Sequence, residues 1–279
     1  MSLTDVSLLF LLQMGFGSLV TFAVSDRAAL GPRYFKLGGW IVLGFYGLAG
    51  SMVWSEALAA EGGSPTATLG LLIAAATATT LLFASVSGWD RPALESVLLW
   101  LALLCGGAAM VASSLSVGME SQRVGAEATL AVVAALGSSL VLGFTTWGMI
   151  LGHWYLVSQG LSVSHLARLV TPLPWIMLGK ALISGLALYW MWPTFLGPGN
   201  ASLGDVLERS PGRVLDVFNV WARIPLGLVI PAVLALMARV TVRMEKTQPA
   251  TGILYAMCGI VYLGEIIGKM VEGGTGVPY

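Results

Sequence analysis

Charge is scarce in this sequence. Fourteen Lys and Arg and fourteen Asp and Glu stand among 279 residues, while hydrophobic residues make up 57% of the chain. A soluble domain carries roughly 25% charged residues, and a tenth cannot provide a charged skin for a globule of this size. A soluble enzyme, a disordered tail and a disulfide-rich secreted module are therefore excluded, and a polytopic membrane protein remains. The two signs balance, and no Lys/Arg stripe or stacking platform for nucleic acid is present. Cysteine and histidine are equally rare, with two of each. Cys105 and Cys258 lie singly inside apolar runs, form no CxxC pair and read as small buried hydrophobes. There is no HExxH, Gly-rich phosphate loop, GxSxG or Cys-based metal motif, and the carboxylates are too dispersed for a metal cage. Met1 to Thr4 provide no basic stretch before the first apolar run, and no small-residue cleavage pattern follows it. That run is expected to stay as a helix.

Long apolar runs are what the chain has instead. A bilayer core of roughly 30 Å is crossed by about 20 apolar residues rising about 1.5 Å each. Eight windows qualify: 6–25, 37–57, 67–88, 93–115, 128–154, 174–192, 221–241 and 252–271. The expected fold is an all-α membrane bundle forming a single transmembrane domain. Turn residues separate most windows, among them Gly31-Pro32, Gly62-Gly63-Ser64-Pro65, Asp90-Arg91-Pro92 and Gln248-Pro249. The fifth window is long for one span and short for two, and is read as one tilted helix. Residues 193–220 read as a surface loop, with two short amphipathic turns on the membrane or an ordinary polar loop as the alternatives.

Basic residues fall unevenly between the two sides. One set of loops holds Arg27, Arg33, Lys36, Arg91, Arg168, Arg239, Arg243 and Lys246; the other holds Arg123, Arg209 and Arg213. The richer side is expected to face the cytoplasm of a prokaryotic inner membrane, which puts both termini outside. Tyr189, Trp190 and Trp192 at one end, and Trp154 and Tyr155 at the other, are expected to anchor at the headgroups. Glycine is abundant, and the row Gly38, Gly39, Gly44, Gly47 and Gly50 suggests close helix contacts. A repeat shows only as one thin four-plus-four hint, the Pro92-Ala93 and Pro249-Ala250 pairs before helices four and eight.

Ionisable side chains within the spans are the candidates for function, because insertion of each costs about 2.5–3.5 kcal/mol. Glu265 and Lys269 share one face of the last helix at i and i+4. Arg223 precedes Pro225 at the start of helix seven, and Glu56 ends helix two. These four are placed in the outer half, either as a polar pocket handling protons or a headgroup, or as ordinary edge residues. In the second case Glu265 and Lys269 satisfy each other and Lys269 snorkels outward. His153 closes helix five, and Lys180, near the inner start of helix six, is expected to approach it. His153 and His165 are poorly placed for a b-type haem; an imidazole at His153 suits hydrogen bonding to a quinone carbonyl better.

Three functions follow. The first is a membrane subunit of an electron-transfer complex, respiratory or photosynthetic, touching quinone or quinol and partner redox subunits. The second is a small-solute or ion transporter, and the third a scaffold without its own cofactor. In helix number and size the chain is similar to the haem-free quinol-binding subunits of the polysulfide reductase class. No residue motif of that class is present, so no residue role follows from the likeness.

Overall fold

The computed structural model describes residues 3–59, 66–89, 91–120, 125–157, 161–196 and 222–275. Within them every element is helical. The helices are α1 (Leu3–Val24), α2 (Arg27–Ala59), α3 (Thr66–Val86), α4 (Pro92–Glu120), α5 (Ala126–Val157), α6 (Ser164–Val170) and α7 (Leu173–Leu196). A π-helical segment, Ile224–Val229, then leads into α8 (Ile230–Arg243), and α9 (Thr247–Thr275) follows. Eight helical segments are long and apolar enough to cross a membrane. Helices suit that setting because their backbone N–H and C=O groups are satisfied within the segment. Buried hydroxyls follow the same economy: Ser18, Thr21, Ser114 and Ser139 each donate to the carbonyl four residues back.

The helices form two rings of four. In the first, α1 packs on α2, α2 on α3, α3 on α4, and α4 returns to α1. In the second, α5 packs on α7, α7 on α8, α8 on α9, and α9 returns to α5. The rings join through their leading helices, α1 and α5. There the backbones touch at Gly17 and Gly143. A Cβ built on Gly143 would lie 2.8 Å from the Gly17 Cα, and one on Gly17 would strike the Ser139 carbonyl. Only glycine permits this approach.

A cluster of rings backs the seam toward the end where α2 begins. Phe22 of α1, Tyr34 and Phe35 of α2, Phe83 of α3 and Trp147 of α5 are all buried. The Phe22 and Trp147 rings lie 4.4 Å apart at 67°, an edge-on contact. Trp154 is half-buried and joins this cluster 5.9 Å from Tyr34. Tyr155 donates to the Ser162 carbonyl and accepts the Leu166 N–H at 3.3 Å. The pair expected to anchor at the headgroups thus ties α5 to α2 and to the chain entering α6. Tyr189 is exposed, whereas the side chains of Trp190 and Trp192 lie outside the described ones.

Polar contacts gather several of the expected inner basic residues at one end. Arg168 reaches Asp26 at 3.9 Å, and Arg27 donates to Ser96 at 2.9 Å. Arg239 at the end of α8 lies over Trp175 at the start of α7.

Three spans are refined against the sequence expectation, and the fifth is one helix as expected. Helix two starts earlier than 37, because a first turn from Arg27 precedes a break at Gly31 (φ 74°, ψ 165°), after which Pro32 restarts the helix. The fifth window is one helix of 32 residues. The sixth span begins at Ser164, since α6 and α7 continue one another across Thr171 and Pro172. In the seventh, Pro231 has no N–H for the Gly227 carbonyl, while the Ile230 N–H reaches back five residues to the Pro225 carbonyl. The loop expected over 193–220 lies outside the described residues, apart from 193–196, which continue α7, and 197–220 are not described.

Candidate functional site

The interior of the second ring holds a charge cluster to which all four of its spans contribute. Glu265 on α9 is its centre. Its Oε1 lies 2.5 Å from the Lys180 Nζ of α7 and 3.3 Å from an Arg223 terminal nitrogen, and its Oε2 lies 3.5 Å from the Lys269 Nζ. Lys180 also donates to the Ser138 hydroxyl of α5. All four charged side chains are almost fully buried. Lys269 therefore does not snorkel: its ammonium faces the bundle and lies 5.8 Å from the Phe10 ring of α1.

Two glycines make the room that Arg223 needs, and a third lets its helix come close. A Cβ on Gly268 would lie 2.8 Å from its Nε, and one on Gly227 would lie 2.6 Å from its Cζ. Gly264 lets the π-helical segment approach α9, its own Cβ position being 2.6 Å from the Gly227 Cα. The segment Gly264-Glu265-Ile266-Ile267-Gly268-Lys269 thus alternates charge with space. Arg223 still has two nitrogens, Nε and one terminal nitrogen, buried without a hydrogen-bond partner.

The structure brings together Glu265, Lys269 and Arg223 and adds Lys180, which was expected to approach His153. The cause is α6. Counted from Ser164, Lys180 lies about 24 Å into its span, and Glu265 lies about 27 Å beyond Thr247, at about 1.5 Å per residue. The two therefore meet at one depth. Ser138, the partner of Lys180 on α5, is about 22 Å along that helix from His153 by the same rise. Ser138 was missed because one serine in an apolar run carries no signal of its own. Glu56 lies in α2, and its side chain is outside the described ones.

His153 occupies a separate place. It is exposed on α5, with its ring 6.4 Å from the Tyr255 ring of α9 at 88°. Both line a cleft of about 330 Å³ with Leu37, Met149, Ile150 and Trp154. Tyr255 was not singled out in the sequence, and its distance of ten residues from Glu265 gave no reason to. His165 has different surroundings, with its Nδ1 buried and without a partner. Among the described residues, no group of three or more His, Cys, Asp or Glu is assembled as a metal ion would need.

Chemically, the cluster offers one carboxylate shared among three cations, with a Lys–Glu hydrogen bond along which a proton can move. Buried groups of this kind in membrane proteins mark proton or ion paths. The cleft offers an imidazole and a phenol at the polar rim of an apolar slot. No family model, curated protein or solved structure matches the chain.

Proposed function

We propose that the chain is a quinol-reactive membrane subunit of an electron-transfer complex, set in a prokaryotic cytoplasmic membrane with both termini outside. The observation that carries this reading is the cleft at His153 and Tyr255. It is apolar along Leu37, Met149 and Ile150, as an isoprenoid quinone requires, and it carries two hydrogen-bonding rings at one edge. A quinol bound there would hydrogen-bond to the His153 imidazole, which can accept one of its two protons, the second leaving to water at the exposed edge of the cleft. The two electrons would leave to a partner redox subunit. The Glu265 cluster, deeper in the second ring, would then serve charge or proton movement during turnover.

Labelling with an azido-quinone in native membranes tests the cleft. Label on the α5 and α9 peptides is expected in the native protein and largely lost in His153→Ala and Tyr255→Phe, with both variants still inserted. Unchanged labelling in both, or label elsewhere, removes this reading. The orientation is tested separately: a cysteine at Ser202 should react with a membrane-impermeant reagent on intact cells, and one at Thr247 should not.

A transporter is the second reading, favoured by the position of the charge cluster beside a helix interrupted by Pro225 and Pro231. Solute-driven or voltage-driven flux in proteoliposomes containing no quinone, abolished by Lys180→Met, would select it over the first.

A further inference from the structure

A second cleft lies on the opposite side of the second ring, between α7 and α8, and neither the quinone reading nor the charge cluster uses it. It measures about 310 Å³ and is lined by Pro174, Trp175, Met177, Leu178, Leu236 and Arg239, among others. Its surroundings are lipid-facing: Trp175, Leu178 and Leu182 of α7 and Val233, Leu236 and Met237 of α8 are all exposed. Large apolar side chains exposed along two spanning helices present a surface that acyl chains can cover.

One end of this cleft is not apolar. Arg239 lies with its guanidinium 5.8 Å from the centre of the Trp175 ring, and its Nε is buried without a hydrogen-bond partner. One turn on, at i+4, the exposed Arg243 ends α8, and Glu245 and Lys246 follow in the connection to α9. A tryptophan at the interface, an arginine with an unmet donor above it, and Arg243 one turn further along the same helix form a basic end on an apolar slot. Basic pockets between spanning helices are where anionic lipid headgroups bind.

From this arrangement we infer that the α7–α8 cleft seats one anionic phospholipid, its acyl chain along Pro174, Leu178 and Leu236 and its phosphate on Arg239. The arginine fork matches phosphate oxygens, and the ring beneath it holds the guanidinium at headgroup level. A zwitterionic lipid would bring its own ammonium to the same cations. The slot is therefore expected to discriminate by headgroup charge.

Native mass spectrometry of the intact protein, released from micelles doped with phosphatidylglycerol or phosphatidylcholine, reads the number of retained lipids. The native protein is expected to retain one phosphatidylglycerol in preference to phosphatidylcholine. Arg239→Gln should reduce that preference about fivefold, the contribution of one basic side chain near an anionic headgroup. Leu236→Trp, which fills the slot and leaves the cations, should lower retention of either lipid. Arg168→Gln, an exposed arginine that pairs with Asp26 and does not line the cleft, should change neither. Equal retention of the two lipids by the native protein overturns the proposal, as does an Arg239→Gln profile matching the native one. Displacement of the lipid by added quinone at equal concentration would also overturn it, since the slot would then belong to a neutral ligand. If Arg239→Gln does not fold, Leu236→Trp alone decides: unchanged phosphatidylglycerol retention in that variant overturns the inference.

Discussion

The two four-helix rings share an order of packing and differ in what fills them. Among the described residues, the first ring carries one buried charge, Glu95, which sits in the first turn of α4 and accepts from Ser87 at 3.0 Å. Its middle is occupied by Tyr46, fully buried, with its ring wedged between Gly15 of α1 and Gly106 of α4. In the second ring, the middle holds Lys180, Arg223, Glu265 and Lys269. Both rings use glycine to admit a large side chain, an aromatic ring in one and a guanidinium in the other. Apolar filling is sufficient to hold four helices together, as the first ring demonstrates. The charges of the second ring are therefore not required by the architecture, and desolvating them opposes folding. That contrast is the physical argument for assigning them a role.

The largest test of the contrast removes the shared carboxylate. Glu265→Gln leaves Lys180, Arg223 and Lys269 buried around a neutral amide, and the loss of a buried ionic partner costs about 3–5 kcal/mol. Unfolding in mixed micelles should show that loss. Adding Lys180→Met should recover part of it, a coupling that a double-mutant cycle would read. A cost near zero for Glu265→Gln would mean that the cations do not depend on it, and the second ring would be no more polar in energy than the first.

A middle-sized effect is expected where the rings meet. Gly143→Ala places a methyl against the Gly17 backbone, which has no side chain to swing aside, and overpacking of this kind costs about 1–3 kcal/mol. Gly44 on α2 has open space around its Cβ position, as has Gly47. For Gly44→Ala the expected change has the opposite sign, a gain of about 0.5–1 kcal/mol from restricting the unfolded chain and improving helix propensity. Equal losses at both positions would mean that α1 and α5 are not in backbone contact.

These glycines also mark where the sequence was legible. Eight spans, their order and the single long fifth helix could be read from apolar run length alone, because lipid imposes that length directly. Which glycines make contacts could not. The row on α2 looks uniform, yet Gly38 and Gly39 face neighbours while Gly44 and Gly47 do not. The tight crossing at Gly17 and Gly143 joins residues far apart in the chain. The charge site was legible in part. Glu265 and Lys269 share a helix face, so spacing alone relates them, and a buried Arg223 stands out against an apolar background. Lys180 was misassigned because the depth of a residue depends on where its helix begins, and α6, with Ser164, His165 and Arg168, has the composition of a loop. The Tyr255 face of the cleft is a tertiary fact with no local signature.

The smallest effect tests whether the first ring is truly the dry one. Tyr46 is fully buried in the first ring, and Tyr262 is half-buried in the second. Tyr262 shares a hydrogen bond with Thr146 of α5 at 2.7 Å, whereas the Tyr46 hydroxyl has no partner. Removing the Tyr262 hydroxyl should cost about 1 kcal/mol, the net value of a typical hydrogen bond, while Thr146 keeps its own bond to the Leu142 carbonyl. Tyr46→Phe removes an oxygen that gains nothing where it sits, so stability should stay within about 0.5 kcal/mol or improve, because an unmet buried polar group is itself unfavourable. The two variants unfold the same protein in the same micelle, so the difference between them does not depend on the detergent. If Tyr46→Phe proves the costlier of the two, its hydroxyl has a polar partner, and the first ring then contains a functional position of its own rather than serving as the inert counterpart of the second.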